Sequence, residues 1–428
     1  MKISIQKLCP KLLALILCLA SCLGSLYYFL SGYIQLGMML LLALLVLCPL
    51  LGRQYFRLNA VQFVTYIFMV FFIIRNNAQL KSTSVSTVIL MVSLLTLILI
   101  AQYHNAEWID IFMTLCKLFY LFYAVYTILE KFFVPLFLLS LKLFPSSMET
   151  LYTQYARGCM PGLTNHYSTN GMLLGVGIVV FGCEFIYRKD LKNLILFLIM
   201  VVALLLTGKR SDILFTAAGV YLAYYCYMSN KKHSRLVNTI GIIILVGIAL
   251  LVIVNFVPSL ATFVTRFEDT AESGDVTLGR TKMWAIAVDY FKQNPIIGLG
   301  WGRFSAVNLH EWKAHNIYLQ LLAETGILGF VVFAFFFIST LINGWQYLKW
   351  IRINGKTMDG NEELHMMFSI AMQIFFLLYG ITGNPLYDKE TYVPYYMACA
   401  ITSYYVNNRR RLSEDKITEN SDEKLSSL

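Results

Sequence analysis

Long apolar stretches separated by short polar turns set the rhythm of this chain. Runs fit to cross a bilayer as helices fall near residues 12–30, 33–51, 58–74, 84–101, 109–129, 170–187, 191–207, 212–228, 236–257, 316–342, 364–382 and 391–406, since a helical span needs about 20 predominantly apolar residues. The weakest is 109–129, which carries Lys117 and a polar start. The stretch 132–144 is apolar too, but it contains Pro135 and Lys142 and is short for a span. It is predicted to be re-entrant or interfacial. The predicted fold is all-α: a polytopic membrane protein of about 12 transmembrane helices. One integral membrane domain is expected over 1–406, with outer segments at 130–169 and 258–315 and a disordered cytoplasmic tail over 407–428.

Composition supports this reading. Of 428 residues, 58% are hydrophobic and 14% charged, against about 25% charged in an ordinary soluble protein. That excludes a soluble enzyme, a disordered chain and a secreted disulfide scaffold. The nine cysteines fall almost entirely in apolar runs, where a free thiol acts as a small hydrophobe, and no Cys-x-x-Cys pair suggests zinc. Lys2, Lys7 and Lys11 precede the first run as in a signal peptide, and Leu19-Ala20-Ser21-Cys22 resembles a lipoprotein processing site. The apolar run continues to Leu30, which fits a retained first span.

The net charge of +10 is explained by topology, because Lys and Arg mark cytoplasmic loops. No basic, aromatic-interleaved soluble module calls for nucleic acid. An even number of spans puts both termini on one side. With the N-terminus cytoplasmic, Arg53, Arg57, Arg188, Lys189, Lys192, Lys231, Lys232, Arg235, Lys349, Arg352, Lys356 and Arg409 to Arg411 all fall inside.

The exceptions carry the candidate chemistry. Leu206-Thr207-Gly208-Lys209-Arg210-Ser211-Asp212 places a Lys-Arg pair in an outward turn. Such a pair either snorkels to lipid phosphates or binds an anionic substrate, and the planar fork of Arg suits phosphate oxygens. The large outer segment adds Arg266, Arg280, Lys282, Arg303 and Lys313, with an acidic run from Glu268 to Asp275 that reads as a solvated loop. After Arg280, the residues Trp284, Val288 and Phe291 recur at helical spacing, predicting a short amphipathic helix that Asn294-Pro295 ends. Gly298-Leu299-Gly300-Trp301-Gly302 fails as a dinucleotide motif because no strand precedes it. It is read as a turn that lets backbone approach a ligand or another helix. His310 and His315 in His-Glu-Trp-Lys-Ala-His are five apart, not the four that a zinc protease needs.

His315-Asn316-Ile317-Tyr318-Leu319 then opens a helix. With the Arg after Leu-Thr-Gly, the outer Arg before a Trp, and Asn294-Pro295-Ile296-Ile297-Gly298-Leu299-Gly300, this set resembles the bacterial O-antigen ligase and O-antigen polymerase family over about 207–330. Lys209 departs from the small residue that many ligases carry there, which leans toward polymerases of capsules of the Gram-positive type. The resemblance implies a fold like the C-type glycosyltransferases. It also implies a metal-independent transferase without cofactor, whose donor is an undecaprenyl-diphosphate-linked glycan used at the outer face of a bacterial cytoplasmic membrane.

By position, Arg210, Arg280 and His315 match the family's catalytic residues, and Lys209, Arg303, Arg157, Asn316, Tyr318 and Glu324 are candidate substrate contacts. Arg157-Gly158 and Asn165-His166 lie in the first outer segment, and Glu324 is placed to pair with a buried cation. Arginine clamps would do what a metal on paired carboxylates does elsewhere. No Asp-x-Asp is present, and Asp388-Lys389-Glu390 is a poor substitute. A neutral His315 would take the acceptor's proton or position the acceptor. Three functions remain open: a polysaccharide polymerase joining repeat units, a ligase passing glycan to another acceptor, and a transporter or flippase. Membrane lipid, a flippase and a chain-length regulator are the expected partners.

Overall fold

A computed structural model of the chain describes residues 5–22, 60–75, 106–229, 237, 279–309, 312–355 and 360–426. The predicted spans 33–51 and 84–101, and 236–257 apart from residue 237, lie outside the described residues, as do 258–278 of the large outer segment. The described elements are all helical. They are α1 (Ile5–Cys22), α2 (Ala60–Ile74), α3 (Glu107–Phe132), α4 (Val134–Leu143), α5 (Met148–Ala156), α6 (Tyr167–Arg188), α7 (Leu191–Thr207), α8 (Arg210–Tyr227), α9 (Arg280–Gln293), α10 (Arg303–Val307), α11 (Ile317–Asn354), α12 (Glu362–Tyr379) and α13 (Lys389–Ser426), with single 3₁₀ turns at Pro145–Ser147 and Pro385–Tyr387.

Three described helices, α3, α6 and α11, are long and apolar enough to cross a membrane, and Val64–Ile74, Val134–Leu143 and Leu191–Thr207 are shorter apolar helices. The weakest predicted span thus becomes part of one of the strongest helices. Lys117 of α3 is matched by the buried Glu184 of α6 (Nζ to Oε2 2.9 Å), and Arg188 takes the other carboxylate oxygen at 2.7 Å. The buried carboxylate thus answers to two cations, so loss of Lys117 leaves it paired with Arg188, whereas loss of Glu184 removes the partner of both.

Helix α12 is buried on nearly all sides from Leu364 to Phe376 and packs against α6, α8, α11 and α13. Aromatic rings fill the seam, with Phe376 stacked on Tyr395 at 3.8 Å between centroids and Phe337 edge-on to both. Cys22 is buried in α1, and Cys18 beside it lies 3.8 Å from Cys116 of α3. The stretch 132–144 forms α4 with Pro135 in its first turn, and leaves Phe132, Phe133 and Val134 exposed. At the end that the charge pattern assigns to the cytoplasm, Arg352 grips Glu363 through two bonds (3.0 and 2.9 Å) and the Arg409 guanidinium lies 3.6 Å over the Trp350 ring. The backbone of α13 stays helical to Ser426, through the stretch expected to be disordered.

The opposite end is shaped by a break. Helix α11 contains Gly326 at φ 64°, ψ −170°, so it is a short helix from Ile317 to Thr325 followed by a long one. The glycine-rich turn fills the gap: Leu299 and Gly300 N–H donate to the carbonyls of Ala323 and Glu324 (2.9 and 2.7 Å), and Ile327 and Leu328 N–H donate to those of Pro295 and Ile296 (2.8 and 3.2 Å). Orphan backbone groups at the break are thereby satisfied. A Cβ on Gly326 would sit 2.4 Å from the Ile296 carbonyl, and one on Gly298 2.4 Å from the Glu324 carbonyl carbon. The turn therefore approaches another helix, one of the two alternatives that its glycines permitted.

Helix α9 is the predicted short helix, beginning at Arg280 itself, and Asn294 ends it. Its protein-facing stripe is shifted by one residue, however. Met283 and Ala287 are buried, whereas Val288 is exposed and Trp284 half-buried.

Candidate functional site

The His-Asn-x-Tyr segment is a helix start in which each residue has a separate task. Asn316 is the N-cap of α11, its side-chain oxygen accepting from the N–H groups of Tyr318 and Leu319 (both 3.1 Å); such a cap contributes about 1 kcal/mol. The Tyr318 hydroxyl donates to the Leu377 carbonyl (2.6 Å), and Ile317 N–H donates to Gly380 (2.8 Å), so the helix start is docked on the end of α12. His315 is left at φ 50°, a left-handed conformation that costs a non-glycine residue roughly 1–2 kcal/mol and must be imposed by its surroundings. It is imposed on both sides of the preceding residue. Ala314 N–H donates to Gln320 Oε1 and its carbonyl accepts from Trp284 Nε1, each at 3.1 Å.

Around the imidazole the fold gathers charge from four parts of the chain. His315 is exposed as a residue, but its titrating ring is partly buried, and its pKa is pushed down to about 4, first by that burial and then by the positive charges of Arg280, Lys209 and Lys313, with Asp388 opposing them. Arg280 is the first residue of α9. Lys209 sits in the turn between α7 and α8, which Gly208 closes at φ 65°. Its ammonium donates to the Ser168 hydroxyl at the start of α6 and lies 5.7 Å from the centroid of the Tyr379 ring. Lys313 pairs with Asp388 (3.2 Å) and lies over Tyr387. A neutral imidazole among cations can accept a proton, and the cations can hold an anion beside it.

The other sequence-predicted residues divide. Arg210 heads α8 directly after Lys209 and is half-buried. Arg157 ends α5 at the same end of the bundle, where Met160 N–H bonds Leu206 (2.9 Å), and it is exposed. Arg303 is exposed at the start of α10. The Asn316 side-chain oxygen and the Tyr318 hydroxyl are occupied by backbone partners. Glu324 is fully buried, and its carboxylate accepts from two backbone amides, Gln320 and Tyr387, where the sequence suggested a buried cation.

Sequence reasoning gave Lys313 no role, dismissed Asp388, and passed over Trp284 and Gln320 as positioning groups. It also passed over Asp212, fully buried in the first turn of α8 within the field of Lys209 and Asp388. A carboxylate two residues after a turn arginine was the available signal for Asp212; Asp388 had none, because only the fold brings it to His315. Among the described residues, no group of three or more His, Cys, Asp or Glu side chains is arranged to hold a metal, and Asp388 faces Lys313 instead.

Residues 195–334 match the model of a family described as O-antigen ligase. That stretch includes the Lys209-Arg210 turn, α9, the glycine-rich turn and the His315 helix start. No curated protein matches the chain.

Proposed function

With residues 195–334 matching the model of the O-antigen ligase family, we propose that the chain is a polysaccharide polymerase. It joins oligosaccharide repeat units carried on undecaprenyl diphosphate at the outer face of a bacterial cytoplasmic membrane, both of its termini being cytoplasmic. The observation that supports this reading is the meeting of Arg280, Lys209 and Lys313 around an exposed His315. An acceptor sugar hydroxyl attacks the anomeric carbon of the donor glycan. The bond from that carbon to the diphosphate oxygen breaks, its electron pair stays on the leaving lipid diphosphate, and the hydroxyl proton passes to His315. The diphosphate gains charge as it leaves. Preorganised cations at that point stabilise the transition state more than the ground state. Arg210 and Arg280, brought from separate helices, are assigned to the diphosphate. Arg157 and Arg303, exposed at the same end, are assigned to the glycan or to lipid phosphates nearby. In this reading the cations take the part that a metal plays in other transferases, no cofactor is used, and a flippase supplies the donor while a chain-length regulator acts on the product.

The family description itself favours a second reading, a ligase that passes the glycan to a different acceptor. The two separate in one assay. Purified protein is given a synthetic undecaprenyl-diphosphate repeat unit alone. Polymer growing on the carrier supports the polymerase, transfer only after a second acceptor is added supports the ligase, and no transfer in either case would overturn both. The transporter reading predicts that last result.

A further inference from the structure

The geometry points to Glu324 as a positioning residue that sets Arg303, His315 and Asp388 in register with one another. The inference depends on the proposed transferase only for its catalytic consequence. Three arms leave the buried carboxylate. Gly302 N–H donates to Oε2 at 2.8 Å and Phe304 N–H to Oε1 at 3.1 Å, so the two amides that flank Arg303 are fixed. Gln320 Nε2 donates to Oε1 at 3.1 Å, and the other end of that amide receives Ala314 N–H at 3.1 Å, which fixes the residue before His315. The Tyr387 hydroxyl donates to Oε2, and Tyr387, stacked on Trp301 at 5.1 Å, precedes the Asp388 that pairs with Lys313.

The chemistry selects a carboxylate here. Four donors converge on two oxygens, and only an ionised acid offers acceptors alone; a Gln would turn an NH₂ toward another N–H. Being fully buried, Glu324 touches no substrate and is not a catalytic residue. Holding helices together does not call for it either, since apolar packing replaces buried charge in that task without loss. What the carboxylate adds is a fixed distance between three loops that each carry one candidate side chain. The His arm is the most sensitive, because His315 is kept at a positive φ by the clamp on Ala314.

The test cuts one arm at a time. Gln320→Leu removes both bonds of the His arm and leaves Glu324 in place. The primary readout is the titration of the His315 imidazole by NMR of histidine-labelled, detergent-purified protein, the signal identified by its loss in His315→Gln. The wild type should titrate near 4. In Gln320→Leu the ring drifts from Arg280, Lys209 and Lys313, and the midpoint should rise toward the ordinary value of about 6.5. With the synthetic lipid-diphosphate donor, kcat should fall by about 10²-fold while the donor KM stays unchanged. Glu324→Gln should reproduce both changes. An unmoved midpoint in a folded Gln320→Leu protein would overturn the inference. A moved midpoint with unchanged turnover would uphold the positioning and remove His315 from the chemistry, which is a failure of the proposed function alone. Should Gln320→Leu not fold, Gln320→Met, closer to Gln in shape, removes the same two bonds and is read in the same way.

Discussion

At the scale of single residues, the imidazole of His315 decides what the site can do. A base must be neutral before it accepts a proton. An ordinary histidine titrates near 6.5, but here burial and three cations hold the group to about 4 in the substrate-free protein. Depression of the pKa keeps the base form populated well below neutral pH. The kcat/KM profile should therefore stay level from pH 8 down through pH 6 and fall only as pH approaches 4 to 5. An acid limb centred at 6 to 6.5 would show that the cations do not face the ring in solution. His315→Gln, which hydrogen-bonds but takes no proton, should lose nearly all activity and with it the acid limb. Arg280 presents the complementary case. Lys keeps the charge but not the two-pronged geometry, so Arg280→Lys should retain only partial turnover, measured as kcat on the lipid-linked donor.

At the scale of elements, the break in α11 sets where these residues stand. Gly355 is an ordinary left-handed cap (φ 64°, ψ 18°) with nothing within 4 Å of a Cβ, whereas Gly326 (φ 64°, ψ −170°) lies in a region that only glycine adopts and its Cβ would meet the Ile296 backbone at 2.4 Å. Gly355→Ala should cost about 1 kcal/mol, the conformational term alone. Gly326→Ala should cost more and abolish activity, since the glycine-rich turn must shift. Thermal denaturation in detergent compares the two; equal losses would mean that the turn does not fill the break. The helix bounds here were legible in advance. The end of α9 at Gln293 followed from Asn294-Pro295, and the start of α11 from the His315-Asn316-Ile317-Tyr318-Leu319 pattern of the resemblance. The buried face of α9 was not. In a chain that meets both lipid and protein, apolar side chains occupy both sides of a helix, and periodicity does not tell which side packs. Trp284 illustrates this: its value lies in one N–H aimed at Ala314, which no apolar stripe records.

At the scale of the whole molecule, the chain separates two ends by chemistry. One end gathers Lys209, Arg210, Arg280, Lys313 and His315. The other holds Arg188, Arg352, His365 and Arg409, tied into ion pairs and aromatic contacts. If the charge pattern sets the orientation, a cysteine at Lys282 should react with an impermeant thiol reagent on intact cells, and one at Lys192 should not. The reverse pattern would place the candidate site in the cytoplasm and end the outer-face mechanism. Cys18, Cys22, Cys116, Cys159, Cys183, Cys226 and Cys399 are buried, so little background labelling is expected from these. The charges that oppose the topology rule were visible in the sequence because each stands out against an apolar background. The partners that complete the site, Asp388 and Tyr387, belong to a loop whose own residues look like any outer turn, and only tertiary packing brings them beside Lys313 and Glu324.

The central claim is that this cation cluster stabilises a departing lipid diphosphate. It is tested most directly by comparing synthetic donors that carry the same glycan on a lipid diphosphate or a lipid monophosphate, with wild type and Arg280→Ala. The wild type should strongly prefer the diphosphate. Arg280→Ala should lose about 10²–10³-fold in kcat on that donor, and most of the preference with it. A variant that keeps the full preference would contradict the account.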